Sequence, residues 1–461
     1  MERWASGIDT AWLQLERDDN RMIVHGILFC EGPVDVALLR DRVRDRWVAV
    51  YPGLRQRPVW SVGKLGPARW VDADPDLDEH VRVVALEEPG DDDVLSRHVG
   101  RLMATPLPAD RPWWSLHVMQ GYHGTADGDV GSAGTALVVS IHHGLGDGVA
   151  LNHLFHVLSD DPAVGGTPVA YAEPPKTSPY VHDWRLLRRG LRDRGRELVG
   201  MVRAAGTEEG ATELAATARA FRTSAALLTR PPRDAETALV GRLGTGKSAR
   251  WTSRIPLETV KAAGKPHGAS VNDVLCAAIA EALRTYLAPD GGDVPRLRAV
   301  MPSNLRPLDR PISDELGNEV GLVLPPLPTD EPDRGRRIER MHASMETIKR
   351  TSQSLAVFAG IGGSGHGRPS FTQGLVARYA HSATVIISNV PGPLAPLRIA
   401  GVRVRDALFW VPCSGQLALG VSILSYAGEV RLGVRADTAV LGGEEGVDRF
   451  TAALEVALRA L

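Results

Sequence analysis

Cysteine is scarce in this sequence: only Cys30, Cys276 and Cys413 occur among 461 residues. The three are far apart, odd in number and form no Cys-x-x-Cys pair. This pattern excludes a disulfide framework as the basis of the fold and fits a protein of the reducing cytoplasm.

Long apolar runs are also lacking. No stretch approaches the roughly 20 apolar residues that cross a bilayer, and the N-terminus lacks the basic and apolar regions of a signal peptide. The net charge of -2 gives no global reason to expect nucleic acid as a partner. We therefore expect a cytoplasmic protein that meets lipid, if at all, from the surface.

A serine nucleophile in a Gly-x-Ser-x-Gly turn is absent as well. The nearest string surrounds Ser364 and ends in His366, where this turn requires glycine. Chemistry through a serine-bound intermediate is therefore not expected.

The length and the pattern of elements predict two domains, because one ordinary core does not grow to 461 residues. Strand-like and helical segments mix in both halves, which indicates an α/β or α+β fold with mixed sheets. We predict an N-terminal domain over 1–175, a helical connection over 176–249 and a C-terminal domain over 250–461.

The most informative segment is Ser140–Gly148, which contains the pattern His-His-x-x-x-Asp-Gly. An apolar β-branched run precedes it and a helical pattern follows it, so the two histidines lie at the end of a predicted strand. Asp147 is placed to cap the helix. An imidazole at such a turn can accept a proton near neutral pH, and the alternative is a purely structural His-Asp turn.

Two other readings of local motifs are weaker. Residues 241–248 satisfy the phosphate-binding pattern Gly-x-x-x-x-Gly-Lys-Ser, but the following residues alternate like a strand where that motif requires a helix. A metal site at His142, His143 and Asp147, with His153 or His156, conflicts with the opposite directions of adjacent side chains on a strand. We expect neither a metal nor a cofactor.

Several motifs in order resemble the bacterial wax ester synthase/diacylglycerol acyltransferase family, which is similar in fold to chloramphenicol acetyltransferase and to condensation domains. The motifs span nearly the whole chain: Ser6–Trp12, Pro112-Trp113-Trp114, His142–Gly148, Asn272-Asp273, Asn304–Pro307 and Ser388–Pro393. One departure is the Pro-Trp-Trp string, where the family has Pro-Leu-Trp.

The resemblance implies two chloramphenicol acetyltransferase-like domains with an active-site tunnel between them. It implies direct transfer of an acyl group from acyl-CoA to a long-chain alcohol or diacylglycerol, with His143 as general base. Asp147 would form a structural ion pair, for which Arg306 is the candidate partner, and Gly148 completes the motif. His142 is expected to pack and orient, and not to act as a second base.

Other residues of these motifs are candidates for substrate binding. Asn272 and Asp273 open a predicted helix, so simple capping is the alternative to a role at the site. Ser388 and Asn389 end a strand, where a side-chain donor can reach a developing oxyanion or merely form a turn.

Trp113 and Trp114 are predicted to shape the acyl channel, so that Trp113→Leu would favour longer chains. An arginine-rich segment over 184–203 resembles a basic amphipathic helix that could contact an anionic membrane or lipid droplet.

Two alternatives to the lipid acyltransferase stay open at this point. One is an acyltransferase of secondary metabolism that uses a carrier-protein-bound acyl group or an unusual alcohol. The other is a catalytically silent docking protein that keeps the fold.

Overall fold

The computed structural model describes residues 2–64, 66–124, 134–161, 231–306 and 312–461. Most of the predicted connection over 176–249, including the arginine-rich segment 184–203, lies outside these residues. Within them, strands and helices alternate along both halves of the chain.

The strands, numbered in chain order, are β1 Arg3–Trp4, β2 Ile23–Cys30, β3 Gln56–Val59, β4 Arg69–Asp72, β5 Val81–Ala85, β6 Trp114–Tyr122, β7 Gly134–His142, β8 Lys247–Trp251, β9 Ile255–Pro256, β10 Leu297–Asn304, β11 Val320–Val323, β12 Pro326–Leu327, β13 Val385–Pro391, β14 Arg398–Ile399, β15 Val402–Trp410, β16 Leu419–Tyr426 and β17 Glu429–Asp437.

The α-helices are α1 Gly7–Gln14, α2 Val36–Arg42, α3 Leu77–His80, α4 Asp92–Ala104, α5 Gly148–Leu158, α6 Leu257–Gly264, α7 Val271–Leu287, α8 Arg334–Lys349, α9 Gln353–Ser364, α10 Pro369–Ala380, α11 Thr438–Leu441 and α12 Glu444–Arg459. A π-helical turn over Val43–Val48 continues α2.

Three sheets organise these elements. A three-stranded sheet has the order β1-β4-β3, and a six-stranded sheet has the order β14-β15-β2-β7-β6-β5. A larger sheet has the path β11-β10-β13-β16-β17-β8, with β12 and β9 added beside β10 and β17. Parallel pairing occurs between β5 and β6, β10 and β13, and β13 and β16, and the other named pairs are antiparallel. The prediction of mixed sheets in an α/β fold is confirmed.

The two halves exchange elements across their boundary. Strand β15 pairs antiparallel with β2 from Val404↔Cys30 to Trp410↔His25, so a strand from the C-terminal half completes the N-terminal sheet. In the opposite direction, α1 contributes Ile8 and Trp12 to an apolar cluster with residues of α9 and α10. This exchange brings residues distant in sequence to the end of β7.

Glycine permits one of the close approaches in this region. A Cβ on Gly26, in the middle of β2, would lie 2.7 Å from Cζ of Phe155 on α5. The aromatic ring can therefore lie directly over the strand only because position 26 has no side chain.

Candidate active site

The segment with two histidines forms the predicted strand, turn and helix. Strand β7 ends at His142, a 3₁₀ turn covers His143–Leu145, and α5 begins at Gly148. Asp147 caps this helix, since its Oδ1 accepts a hydrogen bond from the backbone N–H of Ala150 at 3.0 Å. The local sequence was therefore sufficient to predict this geometry.

His143 is buried, with 8% of its surface exposed. Its ring stacks on Trp12, with ring centroids 4.2 Å apart and an interplanar angle of 23°. Burial lowers the pKa of His143 to about 4 against the opposing influence of Asp147. The imidazole is therefore neutral at physiological pH, which is the state that a general base requires.

Asn318 and Asp9 are two neighbours of His143 that the sequence analysis did not assign. His143 Nδ1 lies 3.0 Å from Asn318 Oδ1, and Asn318 Nδ2 lies 2.7 Å from Asp9 Oδ1. Asp9 and Trp12 belong to the Ser6–Trp12 motif, which was noted without a role for either residue. No pattern around Asn318 marks it, because it precedes the short strand β11 in an irregular segment.

His142 faces different surroundings from those of His143. Its Nδ1 accepts a hydrogen bond from the backbone N–H of Gly144 at 3.0 Å, and its ring packs on Trp113 with centroids 4.7 Å apart. Its Nε2 lies 3.4 Å from Oε2 of Glu16, a long contact. These contacts fit an orienting role for His142.

Asp147 joins the two halves of the chain. Its Oδ2 accepts hydrogen bonds from Arg306 Nε at 3.1 Å, from Arg306 Nη2 at 2.9 Å and from the backbone N–H of Glu319 at 2.8 Å. The partner suggested for Asp147 from the sequence is therefore the one that the structure shows.

Gly148 lies where α5 meets the end of β13. A Cβ on this residue would lie 3.0 Å from Val390 Cγ2. The end of the histidine motif therefore abuts the strand that carries Ser388 and Asn389.

The structure brings Asn272 and Asn389 into contact, while Asp273 and Ser388 have other partners. Asn389 Nδ2 donates to Asn272 Oδ1 at 3.0 Å, with Asn389 exposed. Asp273 forms a capping box with Ser270 at the start of α7 and contacts His342 Nδ1 at 2.9 Å. Ser388 is buried and lies beside Ser422 in the parallel pair of β13 and β16.

The two tryptophans occupy different environments, since Trp114 begins β6 and Trp113 precedes that strand. Trp114 is buried in the hydrophobic core, donates from Nε1 to the carbonyl of Leu54 at 2.8 Å, and packs on Trp47 and His80. Trp113 is half-buried against His142.

An apolar cavity that is partly open to solvent lies against the six-stranded sheet. Its walls come from β2, β7, β15, α5, β13 and β16, and Ile141 and Gly148 place it beside the turn of His143. The residues that line the cavity are Val24, Gly26, Leu28, Val139, Ile141, Gly148, Leu151, Asn152, Phe155, Val390, Pro393, Leu397, Ala407, Leu408, Phe409, Leu424 and Tyr426. Neither Trp113 nor Trp114 is among them. Such a lining suits a hydrocarbon chain.

The position of Lys247 excludes a phosphate-binding loop over residues 241–248. Lys247 begins strand β8, and its ammonium group donates to Asp437 and to the carbonyl of Gly244 at 2.7 Å. Both the strand and the buried ion pair are incompatible with a lysine that reaches a phosphate.

Among the residues that the structure describes, no group of three or more His, Cys, Asp or Glu could hold a metal ion. Within the same ranges, none of the helices combines the length and apolarity that crossing a bilayer demands.

Comparison with known proteins gives consistent matches along the chain. Residues 5–275 match the wax ester synthase/diacylglycerol acyltransferase catalytic domain, and residues 316–461 match the C-terminal domain of the same family. A Mycobacterium tuberculosis protein named as a probable diacylglycerol O-acyltransferase is 30% identical, and the match covers 96% of this chain and 95% of that protein.

Solved structures show the same fold. The wax ester synthase/diacylglycerol acyltransferase from Marinobacter aquaeolei matches with a TM-score of 0.63 and 24% identity over 98% of each chain. The first condensation domain of the calcium-dependent antibiotic synthetase matches with a TM-score of 0.61 and 17% identity, over 99% of this chain and 96% of that one. The expected fold and acyltransferase class are therefore confirmed, and the chain belongs to the wax ester synthase/diacylglycerol acyltransferase family.

Proposed function

We propose that this protein transfers a fatty acyl group from acyl-CoA to the hydroxyl group of a long-chain alcohol or diacylglycerol. The observation that carries the proposal is the neutral, buried imidazole of His143 beside an apolar cavity. The relatives named above as diacylglycerol acyltransferases support the choice of acceptor.

The reaction needs one proton acceptor and no covalent enzyme intermediate. His143 Nε2 takes the proton of the acceptor hydroxyl while its oxygen attacks the thioester carbonyl carbon. The tetrahedral intermediate then collapses, the carbon–sulfur bond breaks, and the same proton passes to the departing sulfur of CoA. General-base assistance of this kind contributes about 10²–10⁴-fold to the rate.

The cavity supplies the site for the acyl chain in this proposal. Its walls are almost wholly aliphatic or aromatic, and burying each methylene of a chain there contributes about 0.8 kcal/mol. Because Ile141 and Gly148 lie on both sides of the histidine turn, a chain in the cavity would place its carboxyl end near His143.

Stabilisation of the oxyanion is assigned to the end of β13. The end of this strand lies against α5, because Asn152 on that helix donates to the carbonyl of Pro391 at 3.2 Å. The Asn272–Asn389 hydrogen bond uses one N–H of the Asn389 amide, and the other N–H remains chemically able to donate to substrate. Loss of such a donor commonly lowers kcat by about 10²–10³-fold.

The experiment that tests the function is thiol release from palmitoyl-CoA in the presence of hexadecanol, a diacylglycerol or a short alcohol. Wild type should release thiol and form an ester only with an acceptor that fits, and His143→Ala should lose this activity. His98→Ala is the matched control, because His98 lies on α4, away from the turn of His143. Release that is independent of His143 would contradict the proposal.

We also place the working protein at a lipid surface in the cytoplasm. Leu394 is 90% exposed and lies between Pro393 and Leu397, which line the cavity. An exposed leucine at the cavity rim suits contact with acyl chains. The arginine-rich segment 184–203 adds the positive charge that anionic lipid attracts.

Flotation with anionic vesicles tests this placement. Leu394→Asp should reduce binding, and charge reversal of Arg188, Arg189 and Arg192 should reduce it further. Val456→Asp is the matched control, since Val456 is 68% exposed on α12 and is not a cavity residue. Wild-type protein that stays at the bottom of the gradient would contradict the placement.

A further inference from the structure

Asn318 makes a hydrogen-bond bridge between His143 and Asp9. It is 2% exposed and belongs to the C-terminal half, while His143 and Asp9 both come from the N-terminal half. Its Oδ1 lies 3.0 Å from His143 Nδ1. The protonation of Nδ1 depends on whether the amide turns its oxygen or its NH2 group toward this nitrogen.

The surroundings of the amide determine its orientation. Asn318 Nδ2 lies 2.7 Å from Asp9 Oδ1 and 2.9 Å from the carbonyl oxygen of His143, so both of its N–H bonds have acceptors. If the amide were turned over, its oxygen would face two other acceptors at these distances. Asn318 Oδ1 must therefore face His143 Nδ1, and Nδ1 must be the protonated ring nitrogen.

Asp9 is itself held in place to receive the amide. Its carboxyl group accepts from the hydroxyl of Ser6 at 2.7 Å and from the backbone N–H of Asn318 at 3.0 Å. Ser6 also caps α1, so the helix start, Asp9 and the Asn318 backbone form one fixed unit. This unit leaves the Asn318 side chain a single orientation.

We propose that Asn318, oriented by Asp9, is a positioning residue that holds His143 in the Nδ1–H tautomer and so leaves the lone pair of Nε2 for the acceptor hydroxyl. This inference rests on the proposed role of His143 as base. This positioning role also explains why residue 318 carries an amide, although a carboxylate could also accept a hydrogen bond from His143 Nδ1. A neutral group fixes the tautomer without attracting a second proton to the buried ring.

The tautomer can be measured without substrate, from the ring ¹⁵N shifts of histidine-labelled protein. The His143 signal is identified by its loss in His143→Gln. Wild type should show His143 protonated at Nδ1. Asn318→Leu should lose this preference, and kcat should fall by about 10²-fold or more with little change in KM, because tautomer and orientation act in the transition state.

Asn318→Asp separates the acceptor of the bridge from its donor. It keeps an acceptor for Nδ1 but turns a carboxylate oxygen toward Asp9 and toward the carbonyl oxygen of His143, which both accept from the amide in the wild type. This variant should therefore lower kcat. The acidic limb of its pH–rate profile should move to higher pH, because a carboxylate now contacts the ring and favours its protonated form.

Gln353→Leu is the control for loss of a buried amide, since Gln353 bonds Tyr379 and not His143. It should keep the tautomer. The proposal is overturned if wild type shows His143 protonated at Nε2, or if Asn318→Leu retains both tautomer and kcat. A wild-type Nδ1–H tautomer without any acyl transfer would support the positioning role of Asn318 and overturn the proposed function. The failure of this inference can therefore be distinguished from the failure of the proposed function.

Discussion

Arg306 binds Asp147 through two nitrogens, Nε at 3.1 Å and Nη2 at 2.9 Å. Both side chains are nearly buried, at 7% and 4% exposure. Arg306 Nη2 also donates to the carbonyl of Leu316 at 2.8 Å, and Asp147 accepts from the backbone of Glu319. The pair therefore fixes residues 316–319, and with them Asn318, against the turn that carries His143.

Breaking this pair should destabilise the protein strongly. Arg306→Ala leaves a buried carboxylate without its cation, for which a loss of about 3–5 kcal/mol in the free energy of unfolding is expected. Urea denaturation measures it. The control is Arg17→Ala, since Arg17 is 48% exposed and its pair with Asp19 should contribute less than about 1 kcal/mol. Equal losses for the two variants would contradict the structural role of Arg306.

Acid should weaken the fold in part through His143. Its pKa is lowered from 6.5 to about 4 in the folded protein, so the unfolded chain takes up this proton first as the pH falls. Stability is therefore lost between pH 6.5 and about 4. In His143→Gln, the loss of unfolding free energy between about pH 7.5 and about pH 5.5 should be smaller by roughly 1 kcal/mol.

His117 should affect the pH dependence of stability in the same way as His143, because burial also lowers the pKa of His117 to about 4. His117→Gln should reduce the acid sensitivity of the fold while acyl transfer persists. An unchanged pH dependence in both variants would show that these rings are not buried in the neutral form.

Chain-length preference should follow the residues that line the cavity. Ala407→Leu adds three carbons to the wall at β15, so the preferred acyl chain should shorten by about three carbons. Phe155→Ala removes a ring from the wall and should favour longer chains. Competition between acyl-CoAs of different length measures both.

Trp113 is the informative contrast in that assay. The sequence predicted that Trp113→Leu would favour longer chains, but Trp113 packs on His142 and is not among the cavity-lining residues. From its position we now expect a lower rate with an unchanged chain-length profile. A shift toward longer chains in this variant would restore the earlier prediction.

Separate halves of the chain should not fold alone. Without β15, the part of β2 from His25 to Cys30 would become an unpaired and largely apolar edge, which favours aggregation. Fragments 1–240 and 231–461 should be insoluble when expressed singly. Soluble, monomeric fragment 1–240 with a cooperative unfolding transition would contradict this expectation.

Local sequence patterns were sufficient for the strand, turn and helix around His143, because each depends on neighbours within a few residues. The cap at Asp147 and the strand β7 are of this kind. The bridge through Asn318 could not be predicted, since it joins residues 175 and 309 positions apart. The core position of Trp114 also depends on which face of β6 is covered, and a single strand does not reveal this.

The exchange of β15 and α1 has a consequence for how substrates arrive. We expect that the halves do not separate about a hinge, because opening them would break six residue pairs between β15 and β2 and remove Trp12 from the opposite core. A long acyl chain should instead enter the cavity end first, and the ester product should leave it lengthwise.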